Sequence, residues 1–261
     1  MAIYVGVGGW VFEPWRGTFY PKGLPQKREL EYAATHLTAI EINGTYYGSQ
    51  KPESFRKWHD ETPKGFVFTV KGPRFATNRR VLAESGPSIE KFFASGVTEL
   101  KGKLGAVNWQ FMATKKFDAD DFGAFLELLP KKVDGQAIRH AVEVRHDSFK
   151  DKVFVQLCRK HGVAIVFAAD SEFPIIGDIT ADFIYARLMG TQEKEKLGYP
   201  KAMLATWAER AQDWAKGGEA RKFAVDPQPA PRKKRDVFLF VISGAKEKNP
   251  AAAMGVIANL T

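Results

Sequence analysis

The sequence predicts an α/β fold of the TIM-barrel, (β/α)8, type, built as a single domain. Three observations carry that prediction. Strand-like and helix-like segments alternate nearly to the end of the chain, the pattern of parallel strands joined by helical crossovers. Roughly eight such units fit into 261 residues, close to the ~250 that such a barrel takes. Nearly every strand carries polar residues on one face, whereas the central strands of a doubly wound open sheet, the alternative, are apolar on both.

The first strand covers 3–7 and runs into Gly8, Gly9 and Trp10. Gly6 and Gly8 lack the third glycine of a dinucleotide fingerprint, since position 11 is valine, and no helical pattern starts there. A Rossmann reading is therefore rejected. The loop 10–21 is crowded with aromatic residues, whose rings either pack the loop down or, with Trp10, wall a pocket. Leu30, Ala33, Ala34 and Leu37 stand at i, i+3, i+4 and i+7 and predict a helix over 26–37. In the strand that opens at Ala39, Ile40 and Ile42 share one face, Glu41 and Asn43 the other. A carboxylate and an amide on an otherwise apolar strand are costly to bury without partners. That face is expected to point into a shared interior and to end, after Gly44, on a ligand site beside Thr45, Tyr46 and Tyr47.

Pro52 suits a first helical turn, and Phe55 and Trp58 mark a short helix ending near 62–63. The third strand, 66–71, finishes on Lys71. Ile89, Phe92 and Phe93 stripe a helix over 87–100. The fourth strand, 104–110, holds Asn108 and Gln110 on one face. Phe122, Phe125, Leu126 and Leu129 stripe the next helix, with Asp118, Asp120 and Asp121 near its N-terminus, where the macrodipole favours them. In the fifth strand, 139–145, Val142 and Val144 share one face, Glu143 and Arg145 the other, and His146 lies just beyond. A helix over 152–161 is expected to bury Val153, Phe154, Leu157 and Cys158. The sixth strand, 163–169, closes on Asp170, and the connection 171–182 lacks a helical stripe. The seventh strand, 183–188, sets Tyr185 and Arg187 on one face. Leu204, Trp207, Ala208 and Ala211 stripe a helix. A strand over 237–242 and a helix over 250–260 complete the series.

Hydrophobic content of 44% supports a sizeable core and excludes a disordered chain. The single cysteine, Cys158, rules out an intramolecular disulfide, which agrees with a reducing compartment. The N-terminal residues do not read as a secretory signal, and no apolar run approaches the roughly 18 residues of a membrane span. A soluble, cytoplasmic protein is expected. The formal net charge of +9 invites a nucleic-acid partner. The one dense basic run, Arg232 to Arg235, follows a proline-rich stretch in a loop at about 217–236. It enters the last strand from its N-terminal side, opposite the expected site, and is read as a solvated loop without nucleic-acid function.

The motifs together resemble the YecE-like family of TIM-barrel proteins (domain of unknown function seventy-two). They are Gly8-Gly9-Trp10 with Trp15-Arg16-Gly17 and Phe19-Tyr20-Pro21; Glu41-Ile42-Asn43 with Thr45 and Tyr47; Pro52 to Phe55; Val70-Lys71 with Pro73; Glu143 to His146; and Ala181-Asp182-Phe183 with Tyr185 to Leu188. The resemblance covers nearly the whole chain. It implies a TIM barrel and no particular reaction. Three positions depart from the family pattern: Asn78 follows Thr77 where a histidine is common, Phe111 to Thr114 replace a Leu-Pro-Pro run, and Ser243-Gly244 replace an asparagine after the last strand.

TIM-barrel sites lie at the C-terminal ends of the strands. Glu41, Glu143 and Lys71 are the candidate catalytic groups. Two carboxylates on different strands serve as acid and base when their surroundings split their pKa values. Trp10, Asn43, Tyr46, Gln110, Arg145, His146, Asp170 and Arg187 are the candidate binding groups; the arginines fork onto carboxylate or phosphate. Glu41 paired with Arg145 or Arg187 inside the barrel would need no substrate. Glu41, Glu143, Asp170 and His146 would suit a hard divalent cation, but the crowding cations oppose one, and no metal or other cofactor is expected. The remaining histidines read as surface or boundary residues and Cys158 as core. The expected function is acid/base chemistry, as an isomerase, lyase or hydrolase, on a sugar phosphate or sugar acid. A non-catalytic barrel that binds a ligand or nucleic acid is the alternative.

Overall fold

Alternation of side chains along a strand gives each strand one face for helices and one for a closed interior. The computed structural model describes residues 1–260. Its eight barrel strands are β1 (Ile3–Gly8), β2 (Ala39–Ile42), β3 (Val67–Lys71), β4 (Leu104–Gln110), β5 (His140–Glu143), β6 (Ala164–Ala169), β7 (Phe183–Leu188) and β8 (Asp236–Val241). They form a closed parallel ring in the order β1-β8-β7-β6-β5-β4-β3-β2. The β-bulge in the β3–β4 pairing, between Phe68 and Thr69, is the irregularity in its register.

Outward residues such as Val7, Ile40, Val70, Trp109, Val142 and Leu188 are fully or almost fully buried beneath the helices. The inward residues divide by height. Toward the N-terminal ends the interior is apolar, with Val67, Ala106, Ala141, Val166, Phe183 and Phe238 packed together. A Cβ on Gly105 would lie 2.9 Å from the Phe238 ring, so the aromatic side chain fills a space that glycine leaves. Toward the C-terminal ends the inward positions are Glu41, Lys71, Asn108, Gln110, Glu143 and Arg187. The register sets Lys71 against Asn108 and Gln110 against Glu143 on neighbouring strands.

The helices follow the predicted stripes. Asp118 caps Ala119–Glu127 by accepting from the Asp121 amide, with Asp120 and Asp121 in the first turn. Asp151 caps Lys152–His161, which ends on Gly162 in the left-handed region. Two expectations need correction there. Val153 is exposed at the start of that helix, because the capping turn holds it outside the stripe of Phe154, Val155 and Cys158. The helix expected over 87–100 stops at Ala94, where Gly96 adopts φ 90° and a 3-10 segment, Val97–Lys103, takes over. A hairpin that the strand pattern did not predict pairs Lys132–Val133 with Gln136–Ala137. Its turn residues Asp134 and Gly135 both have positive φ, as a type I′ turn requires, and an Asp-Gly pair is the usual signal for one. Among the described residues no helix occurs between β6 and β7, as the missing stripe implied.

The basic run lies at the N-terminal end of β8, across the barrel from the charged interior. It is not wholly solvated. Arg235 is 2% exposed and donates to the carbonyls of Ala181, Lys233 and Pro231. A buried guanidinium has to satisfy its donors, and here it fastens the loop to the barrel floor. The same loop places Asp226, also buried, against Arg159 at 2.8 Å.

Candidate functional site

Arg187 is the hub of the barrel mouth. Its Nη1 donates to Glu143 Oε2 and its Nη2 to Glu41 Oε1 at 3.0 Å, so one guanidinium bridges carboxylates from β2 and β5. Arg145, just past β5, adds Nε to Glu143 Oε1 at 2.8 Å, and its guanidinium lies 4.3 Å from the Phe173 ring centre. The Tyr185 hydroxyl donates to Glu41 Oε2 at 2.5 Å and accepts from Thr69 at 2.8 Å. Asn108 turns its amide toward both carboxylates, 3.5 Å from Glu41 and 3.4 Å from Glu143. Glu41, Glu143, Tyr185 and Asn108 have no exposed surface.

These contacts fix the charge states. Burial alone would push the Glu143 carboxyl up. Arg187, then Arg145 and Lys71, overcome it and hold the pKa at about 2. Burial likewise works against the charged form of Arg187, but Glu143 and Glu41 raise its pKa. Burial, then the Glu41 charge, lifts the Tyr185 hydroxyl well above its usual value, so it stays a donor. Glu143 is therefore a poor proton acceptor near neutral pH. With Glu41 it serves first to neutralise the arginines.

Lys71 stands apart. Its Nζ donates to Gln110 Oε1 at 2.6 Å and sits 4.3 Å from the Tyr46 ring centre. Among the described residues no carboxylate lies within ion-pair distance of it. Burial, reinforced by Arg187 and Arg145 against the opposing pull of Glu41 and Glu143, lowers its pKa to about 8. Three cations, Arg145, Arg187 and Lys71, thus face two carboxylates, and the mouth carries one uncompensated positive charge when Lys71 is protonated. Among the described residues, Arg187 Nε and Asn108 Oδ1 are buried polar atoms without a hydrogen-bond partner.

The structure brings Glu41, Lys71, Gln110, Glu143, Arg145 and Arg187 into one network, with Tyr46 over Lys71. Asn43 lies at the end of β2, where its amide makes a long 3.5 Å contact to the Glu41 carbonyl. Trp10 packs edge-on against Trp58 and Phe68 in the shell outside the barrel and borders a shallow rim cleft with Asn43. It does not cover the charged network. His146 uses Nδ1 to cap the turn Asp147–Phe149, accepting from the Ser148 amide at 3.1 Å. Asp170, at φ 54°, accepts from the Tyr199 hydroxyl at 3.0 Å. Neither joins the network. Among the described residues no three His, Cys, Asp or Glu side chains are grouped to hold a metal ion.

Tyr185, Thr69, Asn108 and Phe173 belong to the site without having been candidates from the sequence. The first three stand two residues before Arg187, Lys71 and Gln110, so the period of two marks them for the same interior. Phe173 sits in the irregular connection, where no periodicity points. His140 is not a boundary residue but a buried one. Its Nδ1 accepts from Trp109 Nε1 at 3.1 Å, which leaves the Nε2 proton for the Pro130 carbonyl at 2.8 Å. Burial lowers its pKa to about 4, so it remains a neutral core histidine. Cys158 is fully buried with its thiol pushed up, as a core residue should be.

Comparison with known proteins places the chain. The Escherichia coli (strain K12) protein UPF0759 protein YecE is 28% identical over 150 residues, which take in 56% of this chain and 50% of that protein. The chain thus spans about half the length of the curated relatives it matches. A crystal structure of a DUF72 family protein from Thermotoga maritima superposes with a TM-score of 0.75 at 23% identity, covering 100% of this chain and 99% of that one. A DUF72 family protein from Enterococcus faecalis superposes with a TM-score of 0.72 at 16% identity, covering 99% and 95%. These likenesses show the fold, a TIM barrel. No helix among the described residues is long and apolar enough to cross a membrane. The family described as "Protein of unknown function DUF72" matches residues 4–261, and the chain belongs to it.

Proposed function

We propose that the barrel is an enzyme that acts by acid/base chemistry on a small anionic, polyol-like substrate, a sugar phosphate or sugar acid. The observation that carries the reading is Lys71: a buried ammonium at the C-terminal end of β3, without a carboxylate partner among the described residues, whose pKa falls to about 8. A lysine tuned toward neutrality is suited to exchange a proton near physiological pH. An anion at the mouth would supply the missing counter-charge. Arg145, the more exposed of the two arginines, reaches toward solvent to meet it. Gln110 and Asn43 add neutral hydrogen bonds suited to hydroxyl groups. Glu41 and Glu143 hold Arg187 and Arg145 in place, and Tyr185 fixes Glu41.

A test by isotope exchange does not require the reaction to be specified in advance. A panel of sugar phosphates, sugar acids and neutral sugars is incubated with the protein in deuterium oxide and followed by NMR. The expected result is deuterium incorporation or conversion in an anionic member of the panel, abolished in Lys71→Met. Thermal stabilisation by anions without exchange or conversion would favour the non-catalytic ligand-binding barrel. Equal stabilisation by neutral sugars would remove the anion reading as well.

A further inference from the structure

Beside the mouth runs a second cleft, which the charged network does not use. It lies between the short helix Gly44–Tyr47, the turn carrying Arg74–Thr77 and the helix Gly86–Ala94. Its volume is about 300 Å³, at the lower end of the range for small-molecule sites. Two cations line it, Arg79 and Lys91, and among the described residues no carboxylate does. Arg79 donates through Nε to the Phe75 carbonyl at 3.1 Å and through Nη2 to Ser88 Oγ at 3.3 Å. These bonds hold the guanidinium at the cleft and leave Nη1 unused within the described residues. Within them Lys91 likewise makes no ion pair. Ser49 and Gln50 add a hydroxyl and an amide on the opposite wall.

The cleft also has an apolar side. Phe92 forms part of its wall and is buried against Trp109. Phe75 stands at its edge and is 61% exposed, an unusual placement for a phenylalanine, with the Arg74 guanidinium 5.5 Å from its ring centre. A held guanidinium and an exposed ammonium without a carboxylate, beside an aromatic ring that keeps most of its surface in solvent, describe a ligand with two parts. One is an acceptor-rich anion that forks onto Arg79 and Lys91. The other is a planar ring that stacks on Phe75.

We propose that this cleft is a binding site for an aromatic monophosphate, with the phosphate on Arg79 and Lys91 and the ring against Phe75. The site is separate from the mouth, although Thr45 links their walls: it lines the cleft and donates to the Lys71 carbonyl at 2.7 Å.

Titration calorimetry with phenyl phosphate and inorganic phosphate tests the proposal on the full chain. Wild-type protein should bind phenyl phosphate saturably and about tenfold more tightly than inorganic phosphate, the worth of one aromatic stack. Arg79→Gln should weaken both at least about tenfold, the loss of one charge-assisted bond. Phe75→Ala should reduce phenyl phosphate to the affinity of inorganic phosphate and leave the latter unchanged. In a Lys71→Met background, which removes the cation of the mouth, phenyl phosphate should still bind saturably and still depend on Arg79 and Phe75, which separates this site from the mouth. Both cleft side chains are partly exposed, and matching melting curves would show that the variants are folded. Absence of saturable phenyl phosphate binding to wild type would overturn the proposal. So would unchanged binding on adding Arg79→Gln to the Lys71→Met background, or no saturable phenyl phosphate binding in that background.

Discussion

Replacing Lys71 with methionine should make the ligand-free protein more stable. Methionine matches the length of the lysine stem and carries no charge. The drop in the Lys71 pKa from 10.5 to about 8 corresponds to about 3 kcal/mol acting against the charged form in the folded state. That penalty is present in full below about pH 8, where the ammonium is charged in both folded and unfolded chains. The variant removes it but gives up the bond to Gln110 and the contact with Tyr46. A net gain of about 1–2 kcal/mol follows, or a rise in melting temperature of roughly 2–8 °C for a domain of this size. The sign of the pH dependence is fixed by linkage. Between about pH 8 and pH 10.5 the unfolded chain binds the proton and the folded chain does not, so wild-type stability rises with pH and the advantage of the variant shrinks. Urea denaturation of both proteins at about pH 7 and about pH 9.5 reads the effect directly. Should Lys71→Met lose more than about 1 kcal/mol at the lower pH, or show a gain that does not change with pH, the ammonium is a favourable structural charge. The argument for an anion at the mouth would then fall with it.

Other parts of the network give sharper losses. Arg187→Met leaves Glu41 and Glu143 buried without their shared partner and should cost about 3–5 kcal/mol by chemical denaturation. Arg187→Lys should recover only part of this, because a point charge cannot fork between two carboxylates. Tyr185→Phe removes the hydroxyl between Thr69 and Glu41 and should cost about 1–3 kcal/mol, seen in the same assay. The Glu143 carboxyl, held at about 2, contributes stability that is present above pH ~4.5 and lost as pH falls through about 2. An acid titration of Glu143→Gln should therefore show a flatter acid limb than wild type.

The barrel was legible because alternation and helical stripes are local signals, and the strands and helices obey them almost throughout. The convergence of the charged side chains was legible to the same extent. Glu41, Lys71, Glu143 and Arg187 sit at strand ends on the polar face, and closure brings that face together. Pairing was not legible. Nothing local tells whether Glu41 meets Arg145 or Arg187, since that depends on where β2, β5 and β7 stand around the ring. The same limit hid the split between the arginines, which pair with Glu41 and Glu143, and Lys71, which has no carboxylate partner among the described residues. Arg235 misled for a related reason. A charge in a basic run reads as solvated, and only the carbonyls of a folded loop could bury it. Phe173 had no periodic context at all, whereas Asp134-Gly135 carried a turn signal that residue type alone makes readable.

The bridge through Arg187 joins residues 41, 143 and 187, drawn from three separate stretches of the sequence. A chain with only its first four strands in place would hold Glu41 on an open face without its arginine partner. A chain with only its last four would hold Arg187 and Glu143 together but leave Arg187 half-compensated. Either half leaves its polar inner face open to water, and only closure of the ring takes these charges out of solvent, at the moment their partners arrive. The ring is thus committed to assemble as a whole. Cutting the gene between β4 and β5 should yield two fragments that fold only when mixed.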